Sequence, residues 1–261
     1  MSDIEETLRN DLATLPVIDA HEHLRSHAQC MPQERWDDLT RLWPLLRHTG
    51  YGQVMARMLR AWGLSEELEE GTYDGILARL PARRPEMSRR AYQAAHVVAS
   101  VTHFLAHPSV GGLANVEDFL AGRLPFDADI RPLLGTLPLH EFYTQEDIEL
   151  LARVSGADNG SYDDLVATVE GLIDRCVGLG VVGLKDHAAY TRGLAFGRPS
   201  REAAEGELQR LFRGERIEAG ARALSDYLFD RIMRAAIDHH LPVAIHTGFL
   251  VGTADPRANL R

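Results

Sequence analysis

Residues 162–184 read YDDLVATVEGLIDRCVGLGVVGL, and this stretch decides the fold. Tyr162, Leu165, Val166, Val169, Leu172, Ile173, Cys176 and Val177 recur at i, i+3, i+4 and i+7, which predicts a helix with one buried face. Gly178 and Gly180 stop it, because glycine enters the left-handed conformation that closes a helix. Val181-Val182-Gly183-Leu184 follows at once and reads as a short buried strand. The pattern returns downstream. Leu224, Tyr227, Leu228, Ile232, Ala235 and Ala236 predict a second helix, His239-His240-Leu241-Pro242 ends it, and Val243-Ala244-Ile245 reads as the next strand. Helix, tight turn and buried strand in succession imply parallel strands with helices outside them.

Working outward, Ile4, Leu8 and Leu12 predict a short helix over 3–15, ended by Pro16. Val17 to Leu24 reads as a buried strand, Val97 to Phe104 as a second and Ile130 to Leu139 as a third, with Pro132 and Pro138 limiting the last. Between the first two, apolar residues recur at helical spacing around Trp36, Trp43, Met55, Trp62, 73–80 and 87–98, so 26–98 is expected to be a helical insertion whose tryptophans pack in a core. An all-parallel layout leaves an open doubly wound sheet or a closed (β/α)8 barrel. No Gly-x-Gly-x-x-Gly or Walker loop follows a strand, so a nucleotide crevice lacks support.

Composition narrows the function classes. Of 261 residues, 45% are hydrophobic and 25% charged, the balance of a globular protein rather than a disordered one. No run approaches the about 18 apolar residues of a membrane span. The net charge of −10 argues against a nucleic-acid partner, which calls for a basic face. Cys30 and Cys176 stand far apart, in no metal-type or disulfide-framework spacing. The residues around Asp3, Glu5, Glu6 and Asp11 do not read as a secretory signal, so the expected location is the cytoplasm.

The histidines carry the chemistry. In a strand, residues two apart share a face, so Asp19, His21 and His23 lie on one side of the first strand. Buried polar groups need partners, and a metal ion satisfies two imidazoles with Asp19 behind them. A His-x-His pair arises by chance about once in two chains of this composition, so position has to add to it. It does: His246 follows the strand 241–245, and Lys185 ends the strand 181–184. In parallel α/β folds ligands bind at the C-terminal ends of the strands. Asp186, His187, His103 and His107 are expected to be ordinary residues. His239 and His240 complement a helix C-terminus.

These residues carry a resemblance. V-I-D-A-H-E-H-L at 17–24 resembles the first-strand motif of the amidohydrolase superfamily. Residues 183–194 resemble the fourth-strand region of its amidohydrolase-related branch, and P-V-A-I-H-T-G-F at 242–249 its fifth-strand metal-ligand segment. The helical block resembles the insertion of that branch and of uronate isomerases. The resemblance implies an α/β fold, an incomplete (β/α)8 TIM-like barrel with about five of eight strands, spanning 1–261 as one domain. It implies His21, His23 and His246 as ligands of a divalent metal, zinc first and manganese second. Lys185 takes the place where two-metal relatives carry a bridging carboxylated lysine. Tyr190, Arg192 and Arg25 would contact a small substrate, with arginine suited to a carboxylate.

The implied activity is a metal-dependent hydrolase using a metal-activated water. A decarboxylase or uronate isomerase on the same scaffold and a metal-free binding module stay open, as does a homo-oligomer. Relatives also carry a histidine after strand six and an aspartate after strand eight. This sequence ends shortly past strand five, so it is expected to be an N-terminal fragment whose activity belongs to a longer parent.

Overall fold

Five short parallel strands in the order β1-β2-β3-β4-β5 form one sheet, the half-barrel of an incomplete TIM-like barrel. The computed structural model describes residues 3–22, 33–61, 64–69, 71–72, 74–75, 92–93, 96–107, 112–123 and 130–247. The chain divides into two compact units, one of 1–24, 95–124 and 129–261, the other of 25–94 and 125–128. None of the described helices is long and apolar enough to cross a membrane.

The first unit holds the sheet: β1 Val17–Glu22, β2 Val97–Leu105, β3 Ile130–Gly135, β4 Gly183–Asp186 and β5 Val243–Ile245. Helix α1 (Asp3–Thr14) precedes β1. In the second unit, α2 (Gln33–Leu46) and α3 (Gly50–Ala61) bury Trp43 and Leu59 with Leu68. The Trp43 indole donates to Glu67 Oε2 at 2.7 Å, and Glu67 also pairs with Arg47, so this tryptophan is a core residue with its one donor satisfied. The expected helices over 73–80 and 87–98 fall largely outside the described residues, and Val97 and Val98 belong to β2.

Between the later strands lie α4 (Ala114–Leu120), α5 (Leu137–His140), α6 (Gln145–Ser155), α7 (Tyr162–Gly178), α8 (Arg201–Phe212) and α9 (Arg222–Asp238). Helix α7 has the face its sequence dictates, with Leu165, Val169, Leu172, Ile173 and Cys176 buried. Ser161 caps it by accepting the Asp164 amide. Burial pushes the Cys176 thiol up to about 12, which makes it a core residue rather than a reactive one.

Two boundaries differ from the sequence reading. The third strand stops at Gly135, and Leu137–His140 forms a single helical turn, where Pro138 fits because the first turn needs no amide donor. The fourth strand begins two residues later than expected. Residues 179–181 are used in closing α7, with Gly180 at φ 103° and the Val181 amide bonded to the Cys176 carbonyl, while the Val182 amide already bonds to the Pro132 carbonyl of β3. Lys185, expected at the strand's end, lies with Asp186 inside β4 and is held by ladder bonds.

The core joins Phe104, Leu105, Leu134 and Leu184 of the sheet with the buried faces of α6, α7, α8 and α9. Truncating Leu172 to Ala should cost about 2–5 kcal/mol, the usual penalty for a cavity in a packed core. A urea titration checks this, with a lower midpoint at an unchanged slope as the expected result.

Candidate functional site

The end of β4 sorts its side chains by alternation. Register pairs Lys185 with Gly135 on one side and Ala244 on the other. Residues two further on, His187 and His246, continue the same face, and the His246 amide extends the ladder by bonding to the Asp186 carbonyl at 2.9 Å. Asp186 points the opposite way, toward the helices.

That carboxylate anchors the site from behind. Thr136 Oγ1 donates to Asp186 Oδ2 at 2.7 Å, His140 Nε2 donates to the same oxygen at 3.0 Å, and the Ala188 amide donates to Oδ1 at 2.9 Å. A carboxylate only accepts, so His140 carries a proton on Nε2, and its Nδ1 hydrogen-bonds Ser225 Oγ, 2.9 Å away. Ser225 Oγ in turn accepts from Arg192 Nη1 at 2.7 Å. Burial alone would raise the Asp186 pKa. The hydrogen bond and charge of His140, with Thr136 and the Ala188 amide, outweigh it and hold the carboxyl below its usual range.

Lys185 is only 4% exposed and forms no ion pair among the described residues. Burial lowers its pKa from the ordinary lysine value, and the charge of Asp186 only partly opposes this. Near it the imidazoles form a continuous row. His103 stacks on His187 with centroids 4.7 Å apart and meets His107 at 4.6 Å. His187 lies 5.6 Å from His246, whose ring meets Tyr190 at 4.7 Å. The buried His246 Nε2 has no hydrogen-bond partner among the described residues.

His21 reaches this rim from β1. Partial burial, then the charges of Lys185 and His246, lower its pKa, and Asp19 only partly compensates. Asp19 itself accepts the His21 backbone amide at 3.1 Å, so its carboxylate fixes the chain at His21.

Of the residues singled out from sequence, His21, Lys185, His246 and Tyr190 thus gather at one rim. Arg192 is turned to α9, where its buried guanidinium pairs with Asp226, bonds Ser225 and lies 4.4 Å over the Phe196 ring. His23 and Arg25 lie outside the described residues. Sequence reading passed over His103, His107 and His187 as ordinary, although His103 sits two residues before the C-terminal end of a parallel strand and His107 two after it. It also missed His140 and Ser225, whose only signal is their meeting across 85 residues of chain.

No family model matches the chain, and no curated protein matches it. Solved structures do. A uronate isomerase from Thermotoga maritima matches with a TM-score of 0.61 at 13% identity, over 93% of this chain and 61% of that one. A glucuronate isomerase from Caulobacter crescentus gives 0.60 at 16% identity, over 93% and 60%. A protein described as a metal-dependent hydrolase from Lactobacillus casei gives 0.59 at 14% identity, over 97% and 63%. The likeness shows the fold. The chain spans about three fifths of the length of each of these structures.

Replacing Asp186 by Asn should destabilise the protein by about 3–5 kcal/mol at pH 7, the range for breaking a buried, hydrogen-bonded pair. The sign with pH follows from the lowered pKa. The wild-type advantage is complete above the ordinary aspartate value of 3.8 and is lost as pH falls through the lower folded value. Urea midpoints of the metal-free chain at pH 7 and below pH 4 check both, with the two proteins expected to converge in acid.

Proposed function

We propose that this chain carries the metal centre of a cytoplasmic, metal-dependent hydrolase of the amidohydrolase-related type, acting on a small, carboxylate-bearing substrate. His21, His23 and His246 hold the ion, with zinc the first expectation for imidazole ligands and manganese the second. The observation that carries the reading is the His246 ring. Its Nε2 is buried without a hydrogen-bond partner among the described residues, on a face shared with Lys185, and a divalent ion would satisfy it. A bound ion supplies Lewis acidity toward a substrate oxygen or a water.

The chain's own groups do the rest. Lys185, whose pKa burial lowers, would accept a proton at Nζ, or would add carbon dioxide and release a proton to solvent to become a carbamate able to help hold a metal. Tyr190, partly exposed beside His246, and Arg25 contact the substrate. Arg192, clamped by Asp226, serves by holding the 188–196 segment that carries Tyr190. The domain reading, one barrel-type domain with a helical insertion over 26–98, belongs to the same proposal. A uronate isomerase on this scaffold is the second reading, favoured by two of the three structures named above.

Elemental analysis of protein purified without chelator tests the metal. Near-stoichiometric zinc or manganese is expected, and none would contradict the proposal and leave a metal-free binding module. His246→Ala should weaken metal binding by about 100-fold or more, since even loss of an outer-shell partner costs about 10–100-fold. Hydrolysis of carboxylate-bearing esters and amides, against isomerisation of uronates, separates the two readings.

Lys185→Met supplies an independent check. It removes a buried amine that forms no ion pair among the described residues, so the metal-free variant should be more resistant to urea at pH 7 while losing turnover. In the wild type, stability should rise as pH climbs from the lowered folded pKa toward 10.5, because the unfolded chain binds the extra proton there. The variant should lack that rise.

A further inference from the structure

His103, His107 and His187 come from two strands that are not neighbours in the sheet, since β3 lies between β2 and β4. They meet because of three local features. His103 lies within β2, two residues before its end, and is almost fully buried at 2% exposure. Just past the strand, Ala106 takes φ 55°, which a side-chain-bearing residue adopts only at some cost, and the reversal brings the half-buried His107 back onto the His103 ring. His187, 8% exposed, stacks on His103 at an interplanar angle of 18° and lies 5.3 Å from His107, so the three rings form a triangle.

The bridge over β3 is made by a glycine. A Cβ on Gly135 would lie 2.9 Å from His103 Nε2, 2.8 Å from the Ala106 carbonyl oxygen and 3.0 Å from that of Leu105. Any other residue would push away the imidazole nitrogen or the strand end behind it. One nitrogen of each ring lies within 4.8 Å of the other two. Three imidazoles around a tetrahedral zinc ion at about 2.0–2.1 Å would have their nitrogens about 3.3–3.4 Å apart. Side-chain rotations of about an ångström close that difference.

We propose that His103, His107 and His187 form a second site for a borderline divalent cation of the zinc class, adjacent to the His21–His246 rim and sharing no ligand with it. Three neutral nitrogen donors match that ion class, and three protein ligands leave a coordination position open, as in sites that act on a ligand. With an ion bound, one nitrogen of each ring is satisfied by coordination.

The test loads the full chain with zinc by equilibrium dialysis and counts metal by elemental analysis. Wild type should hold two equivalents. His103→Gln with His187→Gln should hold one, and His21→Ala with His246→Ala should hold the other. Because His103 is buried, His107→Gln serves as a milder variant, expected to weaken one equivalent by about 100-fold or more and leave the other unchanged. Side-chain nitrogen resonances of the wild type, recorded with and without zinc, read ligation without any substitution, and one nitrogen each of His103, His107 and His187 should shift.

A single equivalent lost only from the His21 and His246 variant would overturn this site and leave the proposed function standing. A single equivalent lost only from the His103 and His187 variant would support this site and count against the rim. One equivalent lost from both would mean a shared ion and overturn the separate site. No metal at all, or no shift at the three rings, also overturns it.

Discussion

The buried carboxylate of Asp186 ties the end of β4 to the helices behind the sheet. It is satisfied by Thr136, by His140 and by the Ala188 amide, and His140 is in turn held through Ser225 and Arg192. A fully bonded carboxylate of this kind leaves the strand little freedom to rotate. Since neighbours in a strand face opposite ways, fixing Asp186 outward also fixes Lys185 and His187 inward. The chemistry of the rim therefore depends on a residue that faces away from it. Arg192 belongs to this rearward network through its bond to Ser225 and its pairing with Asp226.

The inward face is unusual in its polarity. A lysine and three histidines, His103, His187 and His246, come from β2, β4 and β5, and Gly135 of the intervening β3 supplies the room. Burying such groups costs free energy unless they find partners, and a cation with open coordination offers one to several imidazoles at once. Exclusion of water lowers the pKa of both Lys185 and His21, and for His21 the charges of Lys185 and His246 add to it. Both shifts favour the uncharged form, the one in which an imidazole can ligate and an amine can accept a proton.

Much of this was legible in the sequence, and the reasons are local. Helix α7 and the strand after it were readable because their apolar periodicity is regular and glycines mark the turn. His21 and His246 were readable because strand ends are where parallel α/β proteins bind ligands. The two-residue difference in β4 arose because Val181 looks like a strand residue yet closes α7, and Val182, bonded to the Pro132 carbonyl, only leads into the strand. His103 and His107 were passed over because their partner, His187, lies 80 residues away, and nothing local distinguishes a satisfied core histidine from a ligand. The network of Thr136, His140 and Ser225 was out of reach for the same reason. Its members are common residues whose meaning comes only from being brought together.

The account's central claim is that this rim of histidines binds a divalent metal. Anomalous diffraction at the zinc edge, from crystals of the protein grown with zinc and no chelator, tests it most directly. A peak within about 2.0–2.1 Å of His246 Nε2 and an imidazole nitrogen of His21 is the predicted result. Well-ordered histidine rings with no anomalous peak beside them would contradict it.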